Sequence, residues 1–315
     1  MQLSKPKRIA FKLPRTTNTY KSEAFKLTDG CIRNTLIDIN DSANKDSQIE
    51  SIWKWADKFG ISEREIPRNK DQLLLMEDLK ISRDYSQPFS AITYLPEAIG
   101  VLTNLSRIII SNHELTELPD SIGNLKKLLC LIIDGNNLTA LPSSICQLNK
   151  LQILCADNNQ LTTLPDEIGK LIKLQFAAFS GNRLSKLPPS INNLIELEVF
   201  QINRNRLTEL PNTIGLLTNL VALCIENNFL TTLPDSFGNL SALEELNLSY
   251  NYLSTLPESI CNLKRIYSLV LNNSLFDKLP DSVKRFVEGV SNFEKIMYIK
   301  CFRRPNSYKK TNHLK

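Results

Sequence analysis

The sequence predicts an α/β solenoid: a curved right-handed superhelix of short repeats, with a parallel sheet on its concave face, short helical turns on its convex face and helical caps. Two observations predict it. Nine Leu-Pro dipeptides, from Leu95-Pro96 to Leu279-Pro280, follow one another at constant intervals of 23 residues. Within each interval the pattern L-P-x-x-I-G-x-L-x-x-L-x-x-L-x-L-x-x-N-x-L-x-x returns. A constant period of this length is typical of proteins whose units pack only against their neighbours.

Each recurring position has a physical role. The LxxLxLxx segment should form a short strand with inward leucines, and strands stacked roughly 4.8 Å apart make a parallel sheet. The proline can begin a helical turn, where no amide hydrogen is needed. The asparagine after the strand should bond backbone groups of adjacent repeats, and its loss would cost roughly 1–3 kcal/mol. His113 and Ser274 hold the equivalent places at the two ends, so we interpret His113 as a ladder residue. The ladder asparagines are Asn136, Asn159, Asn182, Asn205, Asn228 and Asn251.

The repeat resembles a known family. The segment 243–253, LEELNLSYNYL, matches the LxxLxLxxNxL motif of leucine-rich repeat proteins at every position. The 23-residue LPxxIGxL form, over about residues 76–290, is similar to that of plant intracellular Ras-group proteins, Ras-suppressor-like proteins and many bacterial members. The stretch IWKWADKFGISEREIPRNKDQLL resembles the N-terminal cap of bacterial leucine-rich repeat proteins, some of them secreted effectors. That second resemblance rests on Trp53, Trp55, Ala56, Gly60, Ile61, Pro67 and Arg68.

Five segments are predicted. Residues 1–46 form a basic, partly disordered extension, 47–94 a helical N-terminal cap with a degenerate repeat, 95–280 the repeats, 281–299 a C-terminal helical cap and 300–315 a basic tail. The C-terminal cap is predicted from apolar residues at helical spacing. These are Val283, Phe286, Val287, Val290, Phe293 and Met297.

The N-terminal cap should contain a helix over residues 47–60, with Ile52, Trp53 and Trp55 as its large apolar side chains. A partial repeat then begins near Met76. The spacing between this repeat and Leu95 exceeds the regular period by six residues, which predicts an inserted loop around 86–91.

Charge is distributed unevenly along the chain. The net charge is +5, but residues 1–28 and 300–315 carry +6 each, so residues 29–299 carry −7. Basic ends of this kind are typical of solvated tails. No stretch approaches the roughly 20 apolar residues of a membrane helix, and no signal-peptide core is seen. Seven cysteines without a CxxC pair indicate reduced thiols and no zinc site.

The candidate binding surface is the concave face. Side chains alternate across a sheet, so two positions per repeat face outward there, and the first six repeats fill them mostly with apolar residues. An apolar strip with a polar rim is typical of a protein-binding surface. The alternative is that a narrow concave face shields small side chains, but Ile153 and Phe176 are not small. The predicted partner-binding residues are Ile109, Cys130, Ile132, Ile153, Cys155, Phe176 and Val199 on the strip, and Asp134, Asp157, Glu226 and Tyr250 on the rim.

We interpret the chain as a non-enzymatic protein–protein interaction scaffold, and the cap resemblance extends this to a bacterial effector in a host cell. The alternative is an adaptor that recruits a host ubiquitin ligase or small GTPase. Kinase, phosphate-loop and HExxH motifs are absent, and the 35 residues after Pro280 are too few for a ligase domain. The tails lack a nucleic-acid reader motif. We expect a cytoplasmic monomer, or one secreted into the host cytosol, with no cofactor, metal or transmembrane segment.

Overall fold

The computed structural model describes residues 44–83 and 91–296. Of these, residues 49–83 and 91–296 belong to the larger of two compact units. In the larger unit, ten parallel strands form one open sheet in chain order, which confirms the predicted solenoid. The strands are β1 (Asp78–Ser82), β2 (Arg107–Ser111), β3 (Cys130–Ile132), β4 (Ile153–Cys155), β5 (Phe176–Ala178), β6 (Val199–Gln201), β7 (Ala222–Cys224), β8 (Glu245–Asn247), β9 (Ser268–Asn272) and β10 (Asn292–Ile296).

The register of the sheet follows the sequence period. From β2 to β9 each residue pairs with the residue 23 positions later, as Cys130 does with Ile153. β1 differs, because Asp78 pairs with Arg107, 29 positions later. The six extra residues agree with the insertion predicted from spacing, and positions 84–90 of that insertion lie outside the described residues.

A short 3-10 helix lies in the second layer of each repeat. The proline of Leu-Pro usually precedes it in extended conformation, as Pro119 does at φ −68° and ψ 149°, so it starts the turn without an unused amide hydrogen. The 3-10 helices span Glu97–Val101, Asp120–Asn124, Ser143–Gln147, Ile168–Lys170, Pro189–Asn193, Ile214–Leu216, Asp235–Asn239 and Glu258–Asn262.

The glycine of LPxxIG sets how closely successive turns pack. A Cβ added to Gly123 would lie 2.6 Å from the Ser144 carbonyl oxygen of the next repeat, which is closer than any real contact. Cys146, Asn192 and Cys261 hold this position in three repeats. After Cys146 and Asn192 the 3-10 helix of the following repeat has three residues, not five, whereas after Cys261 the next helix spans Asp281–Glu288. In these two interior repeats, a side chain in the glycine position thus coincides with a shorter 3-10 helix in the next repeat. A cleft of about 420 Å³, lined with polar residues, lies beside Cys146.

The core is formed by the strand leucines and by the apolar residues of the second layer. Leu131, Leu154, Leu223 and Leu246 are at most 1% exposed. In the middle repeats the leucine positions instead hold two alanines and two phenylalanines, and all four side chains are fully buried. The large rings fill the volume that the small residues leave, so packing density is kept without leucine. These residues are Ala156, Ala177, Phe179 and Phe200.

The N-terminal end is covered by helix α1, which spans residues 44–58 of the described chain, and by α2 (Lys70–Leu74). The α1 indole groups fix its contacts with later segments, because Trp53 Nε1 donates to the Pro67 carbonyl at 2.9 Å and Trp55 Nε1 to the Tyr94 carbonyl at 2.8 Å. The helix ends two residues before Gly60. The φ of Gly60 is 65°, in the left-handed region that glycine adopts without steric cost.

The C-terminal end differs from the prediction. After the short helix α3 (Asn273–Phe276), helix α4 spans Asp281–Glu288, and Gly289 is its C-cap. Phe293 lies on β10, which pairs with β9 in parallel register, so the helix predicted to extend to Phe293 is wrong, and Met297 lies outside the described residues. β10 pairs with the backbone groups of β9, which would otherwise be an open edge. Val283, Val287 and Val290 are buried as predicted.

No helix in the described ranges is long and apolar enough to cross a membrane.

Candidate partner-binding surface

Asparagine side chains join consecutive repeats. Asn182 donates through Nδ2 to the carbonyls of Ala156 at 2.9 Å and Phe179 at 3.0 Å, and its Oδ1 accepts from the Leu161 amide at 2.9 Å. Asn136, Asn159, Asn205, Asn228 and Asn251 make the equivalent bonds. The chain that leaves each strand is therefore tied to the preceding repeat, which fixes the spacing of the sheet.

His113 occupies the first place in this ladder. Its Nδ1 accepts from the Ile92 amide at 3.3 Å, the same bond that asparagine Oδ1 makes elsewhere. Burial lowers the pKa of His113 below its usual value, and a bond with the Ile81 backbone opposes the shift. A neutral imidazole can accept this hydrogen bond, so the geometry gives His113 a structural contact.

The residue before each ladder position lies in the left-handed backbone region. This holds for every repeat from 112 to 250 with φ between 53° and 68°. Glycine and asparagine tolerate this region, whereas Arg204 and Tyr250 adopt it at a steric cost. This turn was not predicted from the sequence, although asparagine and glycine alternate at the first four of these positions with the 23-residue period. The residues are Asn112, Gly135, Asn158, Gly181, Arg204, Asn227 and Tyr250.

Two columns of side chains run across the sheet on the face opposite the core leucines, which we call the open face. The first column holds the first residue of each strand from β2 to β9, and the second column holds the residue two positions later, in unbroken register. The first column is Arg107, Cys130, Ile153, Phe176, Val199, Ala222, Glu245 and Ser268. The second is Ile109, Ile132, Cys155, Ala178, Gln201, Cys224, Asn247 and Val270.

Exposure differs between the two columns of the open face, because every apolar residue of the first column is partly exposed whereas several of the second column are buried. Cys155, Ala178 and Cys224 are at most 4% exposed, so these small side chains are shielded. The other predicted residues of the strip are partly exposed: Ile109, Cys130, Ile132, Ile153, Phe176 and Val199. These six residues, which we call the apolar strip, cross five adjacent strands.

The predicted acidic rim is mostly buried. Asp134 is 6% exposed, and its Oδ1 accepts from the Asp157 amide at 2.9 Å, while Asp157 Oδ1 accepts from the Ser180 amide at 2.7 Å. These carboxylates bond the next rung of the ladder, so they hold the strand ends together. Of the four predicted rim residues (Asp134, Asp157, Glu226 and Tyr250), only Tyr250 is exposed, at 44%.

Glu226 is buried in the same column, with 3% of its surface exposed. Burial raises the pKa of its carboxyl above the usual value, and its own backbone amide and Arg204 oppose the shift only in part. Oε2 has no hydrogen-bond partner among the described residues. A buried carboxylate of this kind costs stability when ionised.

The two described thiols whose pKa is shifted from the ordinary value are poor nucleophiles. Burial raises the pKa of Cys130, and it raises the pKa of Cys146 to about 11, whereas nucleophilic cysteines require a lowered pKa. Within residues 44–83 and 91–296, no group of three or more His, Cys, Asp or Glu side chains is placed to hold a metal ion.

The leucine-rich repeat region family matches residues 93–177 and 165–313. Among solved structures, a leucine-rich repeat protein of Leptospira interrogans is 29% identical with a TM-score of 0.57, covering 70% of this chain and 61% of that one. The plant peptide hormone receptor RGFR1 in complex with RGF2 is 31% identical with a TM-score of 0.53, covering 57% and 31%. This chain therefore spans less than two thirds of either protein.

The leucine-rich repeat domain of the type III effector XopL is 23% identical with a TM-score of 0.50, covering 73% of this chain and 93% of that one, and this similarity shows the fold alone. No curated protein matches the sequence.

Proposed function

We propose that this chain, which belongs to the leucine-rich repeat family, is a scaffold that captures a partner protein on the open face of its sheet. Leucine-rich repeat proteins are protein-interaction scaffolds, and their fold is typically non-enzymatic. The finer proposal concerns where the partner binds. We assign it to the apolar strip and propose that the chain has no catalytic activity of its own.

The observation that supports this site is the pairing of Ile153 with Phe176. The two residues are direct neighbours on β4 and β5, and both are half-buried although each is large and apolar. Val199 on β6 and Cys130 on β3 extend the same column. A continuous apolar strip that stays partly in water gains free energy when a partner covers it, at roughly 25 cal/mol per Å².

The burial of the acidic residues changes the proposed surface. Asp134, Cys155 and Glu226 offer almost no surface to a partner, so we leave them out of the binding site. Tyr250 stays in it, and we propose that its exposed ring contacts the partner at the edge of the sheet. The contact area is thus centred on the apolar strip and its energetics are mainly hydrophobic.

The cellular role is a wider proposal. We propose that the chain acts as a monomeric bacterial effector in the host cytosol, on the resemblance of residues 52–74 to bacterial N-terminal caps. An adaptor that brings a host ubiquitin ligase or small GTPase to the first partner is the second form of this role. It predicts that two proteins are captured together.

Affinity capture with the full chain as bait, from bacterial and eukaryotic lysates, tests the binding proposal. The variant Ile153→Glu/Phe176→Glu places two charges on the apolar strip. The control Ile172→Glu/Ile195→Glu makes the same change at residues that are 49% and 57% exposed and lie outside the strands. Loss of a captured protein with the first variant and its retention with the control would support the proposal. Equal capture by both variants would contradict it.

A further inference from the structure

Another column of side chains lies beyond the strand ends and is separate from the two columns of the open face. Each member follows the ladder asparagine of its repeat. The amides of Arg206, Phe229 and Tyr252 donate to the carbonyls of Leu184, Leu207 and Leu230 at 2.8–2.9 Å. Each of those leucines directly follows the preceding member of the column, so the members occupy successive rungs. We call Arg183, Arg206, Phe229 and Tyr252 the flank strip.

The aromatic half of the flank strip is open to solvent. Phe229 is 45% exposed and Tyr252 is 68% exposed. Their rings contact each other in a tilted arrangement with centroids 5.9 Å apart. Two large exposed rings on adjacent rungs form an apolar patch, which in a folded protein marks a contact site more often than isolated exposed residues do.

The basic half places two positive charges on adjacent rungs. Both Arg183 and Arg206 are exposed, and like charges directly opposite each other on neighbouring strands or rungs are unfavourable. Earlier members of the same column have partners: Glu114 pairs with Arg83 at 3.5 Å, and Gln160 bonds Asn137 at 3.4 Å.

Neither arginine of the flank strip makes an ion pair or side-chain hydrogen bond within the part of the chain that the structure describes. The exposed charges next along these two repeats are Lys186 and Glu209, which cancel. The arginines therefore form a local positive site on a body whose residues 29–299 carry −7.

We propose that the flank strip binds an extended acidic segment of a partner protein, with two carboxylates on Arg183 and Arg206 and an apolar or aromatic side chain on the Phe229–Tyr252 pair. Arginine binds carboxylate through two parallel hydrogen bonds. Four rungs roughly 4.8 Å apart span about 14 Å, and an extended chain that rises about 3.3 Å per residue covers this in four to five residues. Side chains at alternate positions then face the strip.

Arginine beside aromatic rings also suits single-stranded nucleic acid. Two observations favour the peptide. The negative charge of the body repels a polyanion over its whole length, whereas a short acidic segment meets mainly the two arginines. The Phe229 and Tyr252 rings also contact each other, so a base cannot stack between them without separating them.

The test uses an end-capped fluorescent peptide of alternating pattern, Glu-Thr-Glu-Thr-Phe, titrated with the full chain and followed by fluorescence anisotropy. We expect binding that weakens as salt rises, and a loss of affinity of at least about tenfold (about 1.4 kcal/mol) in Arg183→Glu/Arg206→Glu. The control Lys126→Glu/Lys150→Glu changes net charge equally at exposed residues on the edge where the chain enters the strands. It should bind as the wild type does.

A second variant, Phe229→Ser/Tyr252→Ser, should weaken binding without changing its salt dependence, because it removes only apolar contact. A peptide with lysine in place of glutamate should not bind. The proposal is overturned if the wild type fails to bind the acidic peptide, if the two charge-reversal variants bind it equally, or if a single-stranded oligonucleotide binds the strip more tightly than the peptide does.

Discussion

The rings of Phe179 and Phe200 meet edge to face inside the middle repeats, with centroids 6.5 Å apart and planes at 90°. Both side chains are fully buried, and they lie beside Ala156 and Ala177 at positions that other repeats fill with leucine or isoleucine. The core thus keeps its packed volume because large side chains in one repeat compensate for small side chains in the neighbouring repeat.

Truncating one of these rings should be costly. Phe200→Ala removes a buried ring whose space the adjacent alanines cannot fill, so the free energy of unfolding should fall by about 3–5 kcal/mol. Urea unfolding followed by circular dichroism measures the change. Leu216→Ala is the control, because Leu216 is 56% exposed, and its effect should stay within about 0.5 kcal/mol. Equal losses in the two variants would show that Phe200 is not a core residue.

The contribution of each ladder asparagine to the free energy of unfolding should increase with its burial. Asn182→Ala leaves the Leu161 amide and the Ala156 carbonyl without the bonds seen here, so it should cost about 1–3 kcal/mol in urea unfolding. Asn251→Ala should cost less, since Asn251 is only partly buried and water can replace its bonds. A larger loss at Asn251 than at Asn182 would contradict this order.

The glycine of LPxxIG is expected to control how closely the 3-10 helices of successive repeats pack. Gly123→Ala brings a Cβ against the Ser144 carbonyl, at 2.6 Å without relaxation, and should cost about 1–3 kcal/mol. Cys146→Ala places the same side chain in the next repeat, where the following 3-10 helix is already shorter, and should cost less. Thermal unfolding of both variants tests the difference. Similar melting temperatures would mean that the glycine position does not control the packing of successive turns.

Glu226 should make stability depend on pH in a particular direction. Burial holds its folded-state pKa above the ordinary value of about 4.5, so the folded state binds the proton more strongly than the unfolded state does. Stability from this residue is therefore complete at low pH and is lost as pH rises from about 4.5 through the folded pKa. Glu226→Gln should stabilise the protein at pH 7.5, with a gain that shrinks towards pH 4.5.

Urea unfolding at several pH values tests this prediction, with Glu209→Gln as the exposed control that should change little at any pH. A Glu226→Gln variant that is less stable than the wild type at pH 7.5 would show that the carboxylate has a stabilising partner.

The sequence predicted what the period controls. The leucine strands, the proline turns and the six-residue insertion before Leu95 all follow from positions that repeat every 23 residues. Strand β10 was not predicted, because Phe293 and the valines of α4 share helical spacing. Its pairing with β9 also depends on the free edge of β9, which exists only in the folded chain. Spacing also could not distinguish a solvated carboxylate from Asp134, whose side chain turns back to bond the next rung.

The candidate site could be predicted only in part for the same reason. Alternation identifies which residues face away from the core, but it does not say how far each is exposed, and exposure differs between the two columns of the open face. Cys155 is shielded and Phe176 is not, although both are apolar residues on the same face.

The most direct test of the proposed function is the affinity of a captured partner for the single variant Phe176→Glu, measured by titration alongside the melting temperature. We predict a loss of at least about tenfold in affinity with little change in melting temperature, because a charge on a partly exposed residue disrupts binding but not the core. An unchanged affinity in a variant with a normal melting curve would contradict partner binding on the open face.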